Sequence, residues 1–310
     1  MQPAPLYSDV ADAPEGGAAY WLNTFDDVRI RIGVWDKGSK GTVLLFPGRT
    51  EYVEKYGRTA RGFATRGYAM LSIDWRGQGL ADRSLDDPAT GHVVEFKDYQ
   101  YDVDAVVKAA RTLGLPEPYY LAAHSMGGCI GLRSLIEGLD VKAAMFSAPM
   151  WGILMGPPVR PAAWALSWAG AQLGFGHKYA PGTTPETYVS AAQYENNLLT
   201  TDADMYKYMQ DQVAKHPDLA LGGPSLQWLY EALTETRSLG LMSAPDTPVL
   251  TFLGSNERIV DSKAVHQRMA NWPSGQFVIV DGAEHEVMME GPETRRSITD
   301  QTTAFFAGHR

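Results

Sequence analysis

Cysteine is nearly absent from the sequence, which has one, Cys129, among 310 residues. A single cysteine rules out an internal disulfide and a zinc site built from several thiolates. Basic residues are also few, with 27 Lys and Arg against 36 Asp and Glu, so the formal net charge is −9. This acidic balance argues against a nucleic-acid partner bound through its phosphates and against docking by a polybasic patch. No pair of the seven histidines has the spacing of metal ligands, and we expect no metal ion.

A long uninterrupted hydrophobic run is missing as well. The apolar stretch at residues 151–176 is broken by three prolines and by Arg160, and the 16 residues left after position 160 fall short of a membrane-spanning helix, which needs about 20. Residues 1–17 contain neither the basic segment nor the apolar segment of a signal peptide. We therefore expect no transmembrane segment and a cytoplasmic location.

The rest of the chain alternates between strand-like and helix-like segments. Residues 28–34 alternate between apolar and polar positions, which predicts a half-buried antiparallel strand near the edge of a sheet. Apolar side chains recur with a helical period over residues 96–113. Six short apolar runs are typical of buried parallel strands, at residues 42–46, 68–73, 119–123, 141–147, 248–253 and 276–280. The alternation predicts the α/β class, with a mostly parallel twisted sheet and helices on both faces.

This alternation fails in the middle of the chain. Residues 150–241 begin with prolines and tryptophans and are typical of short helices, and the strand pattern resumes only at Pro248. We therefore expect a core at residues 1–149 and 242–310, interrupted by a helical insertion.

Aromatic residues stand close together at the start of this insertion. Trp164 and Trp168 share a helical face with Ala171 and Phe175, and Trp151 is near them in sequence. Two interpretations stay open: the face packs on the core, or it lines an apolar entrance to a site.

Ser125 lies in the sequence AHSMGG, directly after a predicted strand and before a helix predicted at residues 129–137. The pattern is close to the G-x-S-x-G turn that exposes a nucleophilic serine, with Ala123 in place of the first glycine. In such a turn the amide of Met126 can donate to an oxyanion, and a second amide is expected from Arg49, after the strand at 42–46. The alternative is an ordinary strand–helix turn whose serine caps the helix.

His285 follows the last predicted strand, where catalytic groups of open α/β sheets gather, and it is the candidate general base. His124 is adjacent to Ser125 and is interpreted as structural. Two carboxylates compete for the role of orienting the imidazole. Glu257 lies in the loop after the strand at 248–253 and is preferred, while Asp261 directly precedes a predicted helix and has the position of an N-cap.

Together these motifs resemble the α/β-hydrolase superfamily, in particular its monoacylglycerol lipase and lysophospholipase-like branch. The resemblance covers residues 28–306 and rests on PGRTE at 47–51, DWRGQG at 74–79, the Ser125 turn, and residues 254–260 and 282–286. It implies the α/β-hydrolase fold with a helical cap and no cofactor. It also implies hydrolysis of carboxylic esters, monoacylglycerols or lysophospholipids, through an acyl-enzyme on Ser125.

The resemblance leaves alternatives and details open. The same scaffold carries peptidases of the proline iminopeptidase kind and C–C bond hydrolases, and a non-catalytic small-molecule binder is a further possibility. The candidates for lining the substrate site are Trp151, Trp164 and Trp168. At most, we expect the cap to make transient contact with a membrane surface.

Overall fold

A computed structural model describes all 310 residues. The strands are β1 Gln2–Ala4, β2 Ala18–Asn23, β3 Arg29–Trp35, β4 Thr42–Phe46, β5 Ala69–Asp74, β6 Tyr119–His124, β7 Ala144–Ser147, β8 Val249–Gly254 and β9 Gly275–Val280. The helices are α1 Ser8–Ala11, α2 Gly57–Ala64, α3 Tyr99–Thr112, α4 Ser125–Ile136, α5 Val159–Gln172, α6 Tyr188–Ala191, α7 Ala203–Lys215, α8 Leu226–Gly240, α9 Ser262–Ala270 and α10 Pro292–Ala307. None of these helices combines the length and the apolar character needed to cross a membrane.

The nine strands form one sheet in the order β1-β2-β3-β5-β4-β6-β7-β8-β9. The pairs from β1 to β3, and that of β3 with β5, are antiparallel, whereas all pairs from β5 to β9 are parallel. The mostly parallel sheet is confirmed, and each predicted strand overlaps an observed one. β1 and β2 were not predicted. β9 is an edge strand and only partly buried, so its predicted full burial is wrong.

Helices cover both faces of the sheet, as predicted. Successive residues of a strand point to opposite faces. Leu44 and Phe46 of β4 accordingly belong to a core cluster shared with α3, α4 and α8. Val43 and Leu45 belong to a second cluster shared with α2, α7 and α10. The sheet therefore has two hydrophobic cores, and the carboxyl ends of its parallel strands lie along one edge.

The prediction for β3 is right about its direction and wrong about its exposure. β3 lies third from the sheet edge, and every residue after Arg29 is buried. Arg31 is buried because its guanidinium lies 2.7 Å from Asp74 on one side and 2.7 Å from Glu54 on the other. A buried charge is tolerated when it is paired in this way. An alternating pattern cannot reveal such a pair, because the partners come from distant segments.

The chain between β7 and β8 contains four helices and no named strand, as the insertion predicts. α8 is fastened to α4 by a buried ion pair, in which the Arg133 guanidinium lies 2.7 and 2.8 Å from the two Glu235 oxygens. α5 in turn approaches α8 closely at Gly170, where a Cβ would lie 2.7 Å from Leu226. The division into core and cap at residues 150 and 241 stays a prediction.

Of the two interpretations of the tryptophan face of α5, packing on the core is wrong. Ser167 and Gly170 are the buried residues of α5, whereas Trp168 is 54% exposed and Phe175, just after the helix, is 56% exposed. The small side chains face α8 because they let the two helix backbones come close together. Trp164 contacts Tyr230 of α8, with ring centroids 6.2 Å apart.

Candidate active site

Ser125 stands at the sharp turn where β6 ends and α4 begins. Its φ of +49° lies in the left-handed region, where non-glycine residues are strained. The turn is also crowded, since a Cβ at Gly127 would lie 2.1 Å from the carbonyl oxygen of Phe46. A strained serine on a strand–turn–helix with glycine behind it is the geometry of a nucleophile elbow. Ala123 fits in place of the usual glycine as a fully buried residue of β6.

The structure brings Ser125, His285 and Glu257 together at the carboxyl edge of the sheet. Nε2 of His285 lies 2.9 Å from Oγ of Ser125. Nδ1 of the same ring lies 2.7 Å from Oε2 of Glu257. The three residues follow β6, β8 and β9, so parallel strand ends explain how residues distant in sequence meet. This is the arrangement of a serine, a base and an orienting carboxylate.

Glu257 is held on both carboxylate oxygens. Besides the bond to His285, its Oε1 accepts the amides of Ile259 at 2.6 Å and Val260 at 3.0 Å. Burial opposes ionisation of this carboxyl, but the imidazole and the two amides outweigh burial, so the pKa of Glu257 is lowered. The carboxylate is therefore ionised at neutral pH and fixed in orientation.

Asp261 has a different task in the structure. Its Oδ1 accepts the amide of Lys263 at 3.1 Å, which makes Asp261 the N-cap of α9. Its Oδ2 lies 3.3 Å from Arg160. Of the two candidate carboxylates, the structure places Glu257, and not Asp261, against His285.

The amides of Arg49 and Met126 lie on two segments that touch each other. Met126 is the second residue of α4, so its amide has no carbonyl partner within the helix. The amide of Arg49 makes no hydrogen bond within the protein. The loop after β4 packs on the first turn of α4, since a Cβ at Gly127 would lie 2.4 Å from the carbonyl oxygen of Pro47. Two free amides are thus available beside Ser125.

Three side chains hold the loop that carries the Arg49 amide. Trp75 Nε1 donates to the carbonyl of Pro47 at 2.9 Å, and Gln78 Nε2 donates to the carbonyl of Gly48 at 2.8 Å. The amide of Gly48 donates to the carboxylate of Glu51. The DWRGQG motif, which sequence analysis used only for resemblance, therefore supplies two of the loop's supports.

A buried charged cluster lies next to this loop. The Lys55 ammonium is 2.8 Å from Glu51 and 2.5 Å from Glu286, and the Tyr56 hydroxyl donates to Glu51 at 2.5 Å. His124 Nε2 lies 3.5 Å from Glu51, so two carboxylates and an imidazole converge as they would on a metal ion. Lys55 already provides the cation there: burial opposes its charge, but the carboxylates raise the pKa of Lys55.

His124 itself is structural in its contacts, as interpreted from the sequence. Its Nδ1 lies 3.0 Å from the carbonyl oxygen of Ser147, and its ring centroid is 4.8 Å from that of His285. Burial lowers the pKa of His124 to about 3, so the ring is neutral at neutral pH.

A cavity of about 510 Å³ opens on Ser125 and His285. Apolar side chains from the chain between β7 and β8 and from the loop after β8 line much of it, among them Ile153, Val189, Met209, Val213, Trp228 and Ile259. A second cavity, of about 580 Å³ between α2 and α10, contains none of the residues that meet at Ser125. The chemistry therefore identifies the first cavity as the candidate site.

The prediction that Trp151, Trp164 and Trp168 line this cavity is wrong. Trp151 is buried beneath it, where its ring packs on Phe146 at 5.1 Å and its Nε1 donates to a backbone carbonyl of α4. Trp164 and Trp168 lie on α5, whose small residues face α8. Trp228 of α8 is the tryptophan at the cavity, and no sequence pattern indicated it, because its position depends on how α8 packs.

Comparison with known proteins adds independent findings. Residues 37–292 match the family described as serine aminopeptidase, S33. Lysophospholipase L2 of Escherichia coli (strain K12) is 32% identical over 277 residues, covering 86% of this chain and 80% of that protein. Probable lysophospholipase L2 of Haemophilus influenzae is 29% identical over 265 residues, covering 85% and 82%.

Solved structures share the fold at lower identity. A soluble variant of monoglyceride lipase from Saccharomyces cerevisiae has a TM-score of 0.73 at 18% identity, covering 100% of this chain and 99% of that one. A monoacylglycerol lipase from Paleococcus ferrophilus has a TM-score of 0.69 at 17% identity, covering 91% and 99%. These similarities establish the fold of the α/β-hydrolases.

Proposed function

Since the chain belongs to the serine aminopeptidase S33 family and is a serine hydrolase of lipid-like carboxylic esters, we propose that Ser125 is its nucleophile, His285 its general base and Glu257 the orienting carboxylate. The observation that carries this proposal is the pair of hydrogen bonds through His285, 2.9 Å to Ser125 and 2.7 Å to Glu257. A base within this distance of a serine hydroxyl can take its proton as the hydroxyl attacks.

The reaction follows from these positions. Ser125 Oγ attacks the ester carbonyl while His285 Nε2 accepts its proton, and the amides of Arg49 and Met126 stabilise the oxyanion. The ionised Glu257 stabilises the imidazolium, which then protonates the departing alcohol. Water next attacks the acyl-enzyme with His285 again as base, and the acid leaves. Every catalytic group in these steps belongs to the chain itself, and only the ester and the water come from outside.

The substrates we propose are monoacylglycerols or lysophospholipids. The relatives that share about 30% identity with this chain are named lysophospholipases, and the cavity at Ser125 has the apolar side chains that an acyl chain requires. A peptidase is not favoured by these relatives. A binder without activity would have no need of a serine hydroxyl bonded to an oriented imidazole.

The segment 150–241 is proposed to act as a cap that makes transient contact with a lipid surface. Leu166, Trp168, Leu173 and Phe175, which we call the α5 patch, are 46%, 54%, 70% and 56% exposed. Exposed apolar side chains clustered on one helix and its end mark a surface suited to lipid or protein contact. Location in the cytoplasm stays a prediction.

The test is a series of p-nitrophenyl esters of increasing chain length, together with monoacylglycerol, lysophosphatidylcholine and aminoacyl p-nitroanilides. We expect hydrolysis of long-chain esters and labelling by a fluorophosphonate probe. Ser125→Ala should lose both, with a fall in kcat of about 10⁶. Ser134→Ala, a buried serine of the same helix that bonds Gln100, is the matched control and should keep both.

Three results would contradict the proposal. If Ser125→Ala kept most of the esterase activity, Ser125 would not be the nucleophile. If activity were confined to acetate and butyrate esters, the proposal of a lipid substrate would be rejected. Cleavage of the nitroanilides without cleavage of esters would replace the esterase by a peptidase.

A further inference from the structure

The guanidinium of Arg49, a half-buried residue, is a cation without a counter-charge at the wall of the cavity. Its Nη2 donates to the carbonyl of Gly222 at 2.5 Å, while its Nε is buried with no hydrogen-bond partner. No carboxylate oxygen lies within 4.0 Å of it. Its Cζ lies 5.3 Å from the ring centroid of Trp228, and the group rests against Gly91, where a Cβ would be 2.7 Å from Nη2.

Most other buried basic groups in this protein are paired with carboxylates, and the exception, Arg268, donates to two backbone carbonyls. Arg31 has Glu54 and Asp74, and Lys55, which also lines the cavity, has Glu51 and Glu286. A charge that is withdrawn from water without a counter-charge destabilises the fold. Such a group is a candidate for binding a ligand of opposite charge.

Arg49 is still a cation at neutral pH. Burial lowers the pKa of Arg49 to about 10, which leaves the guanidinium protonated under physiological conditions. Its planar fork of N–H groups fits the oxygens of a phosphate better than a point charge does.

The covalent geometry of the substrate supports a phosphate at this position. The glycerol backbone of a lysophospholipid places as many atoms between its carbonyl carbon and its phosphorus as arginine places between its amide nitrogen and its guanidinium carbon. The phosphate of an ester whose carbonyl oxygen is bound by the amide of Arg49 can therefore lie as far from that amide as the guanidinium of Arg49 does.

We propose that the Arg49 guanidinium binds the phosphate of a lysophospholipid headgroup and so selects lysophospholipids over neutral monoacylglycerols. This proposal rests on the ester hydrolysis at Ser125. It assigns two tasks to one residue: the backbone amide holds the reacting carbonyl, and the side chain recognises the headgroup. A monoacylglycerol has no anion for this position and would leave the guanidinium uncompensated.

The experiment compares kcat/KM for lysophosphatidylcholine and for the monoacylglycerol with the same acyl chain, both below their micellar concentrations. In Arg49→Met, which keeps the backbone amide, the ratio of the two values should fall at least tenfold, mainly through KM for the phospholipid. Arg49→Lys should restore part of the ratio. Arg237→Met is the matched control, because Arg237 also lies over a tryptophan, Trp164, but outside the cavity. Its ratio should equal that of the wild type.

Binding without turnover provides a second measurement. In Ser125→Ala, calorimetry should detect sn-glycero-3-phosphocholine but not glycerol at the same concentration. Inorganic phosphate that binds as tightly as the phosphodiester would indicate a general anion site and overturn the headgroup assignment. This arm uses a chain with Arg49 intact, so an absence of sn-glycero-3-phosphocholine binding would overturn the proposal even if the Arg49 variants unfold.

The remaining outcomes separate this proposal from the one before it. If Arg49→Met lowered kcat/KM equally for both substrates, Arg49 would have only a structural role through its hydrogen bond to Gly222. That result would overturn headgroup recognition. A wild type that cleaves monoacylglycerol but not lysophospholipid would overturn it too, while ester hydrolysis stands. A wild type that cleaves neither and resists the fluorophosphonate would overturn the proposed function itself.

Discussion

On the floor of the cavity, which is the strand edge with Ser125, His285 and Glu257, both ring nitrogens of His285 and both oxygens of Glu257 have partners. On its roof, formed by the chain between β7 and β8, Trp228 lies over a guanidinium that has no carboxylate. The charged and titratable side chains of the floor are paired within the protein, whereas the guanidinium that faces the roof is not. The side chains that react with any ester are held in place by the protein before the substrate binds. The group that we propose to discriminate between esters has no charged partner until the substrate binds.

After Ser125→Ala, the largest effect on the floor should come from replacing its carboxylate. Glu257→Gln should lower kcat by about 10⁴, because a neutral amide cannot hold the required tautomer or stabilise the imidazolium. Asp261→Asn should change kcat by less than about threefold, because asparagine can still cap α9. Steady-state rates with a p-nitrophenyl ester give both values, and the opposite ranking would transfer the role to Asp261.

A smaller fall in kcat should follow when the loop that carries the Arg49 amide loses one of its hydrogen bonds. Glu51→Gln removes the charged acceptor that holds the Gly48 amide, so the neighbouring Arg49 amide should lose its fixed position. We expect kcat to fall roughly 10²-fold, with KM little changed, and fluorophosphonate labelling to slow in parallel. Glu284→Gln, which alters a nearby carboxylate paired with Arg258, is the control. An unchanged kcat in Glu51→Gln, or a loss seen only in KM, would contradict the positioning role.

The neutral His124 beneath the floor predicts a pH dependence of stability. Its pKa is about 3 in the folded protein and 6.5 as the reference value. Below pH 6.5 the unfolded chain therefore binds a proton on His124 that the folded chain does not bind. The free energy of unfolding accordingly decreases as the pH falls from 6.5 towards 3. Between pH 7 and pH 5 this amounts to about 2 kcal/mol.

Urea unfolding of wild type and His124→Gln at the two pH values isolates this contribution. The wild type should lose more stability than the variant by that amount. An NMR titration of the His124 ring in the native protein checks the same claim directly. Protonation near pH 6.5 would refute it.

The smallest effect should come from the outer side of the roof. Replacing Trp168 and Phe175 of the α5 patch by serine should lower the rate on monoacylglycerol in vesicles by a few-fold and leave the rate on monomeric p-nitrophenyl butyrate unchanged. Phe25→Ser, at a position that is 88% exposed outside the cap, is the control. Equal rates of wild type and variant on vesicles would exclude the patch from lipid contact.

The same contrast explains what the sequence could predict. The floor is encoded locally: Ser125 directly follows a recognisable strand, His285 lies in the loop after another, and parallel strands bring their ends together. Glu257 was preferred over Asp261 because a carboxylate directly before a helix usually caps it, and Asp261 does cap α9. The bounds of β4 were predicted to the residue.

The roof and the sheet edge were harder to predict, because tertiary packing decides them. The side of α5 that is buried depends on the close approach at Gly170, so the tryptophans were placed wrongly and Trp228 was missed. Arg31 looked solvent-exposed because its partners, Glu54 and Asp74, are far away in sequence. β1 has three residues and lies at the edge, too short for any periodic signal.

The ion pair between Arg133 and Glu235 limits how a substrate can enter. It joins α8 to α4, the helix that begins at Ser125. Moving α8 away from α4 would separate the pair and leave two buried charges without partners. We therefore expect α8, which contains Trp228, to stay fixed relative to α4 and Ser125. Any widening of the entrance therefore falls to other segments that line the cavity, such as α6, which has no buried residue.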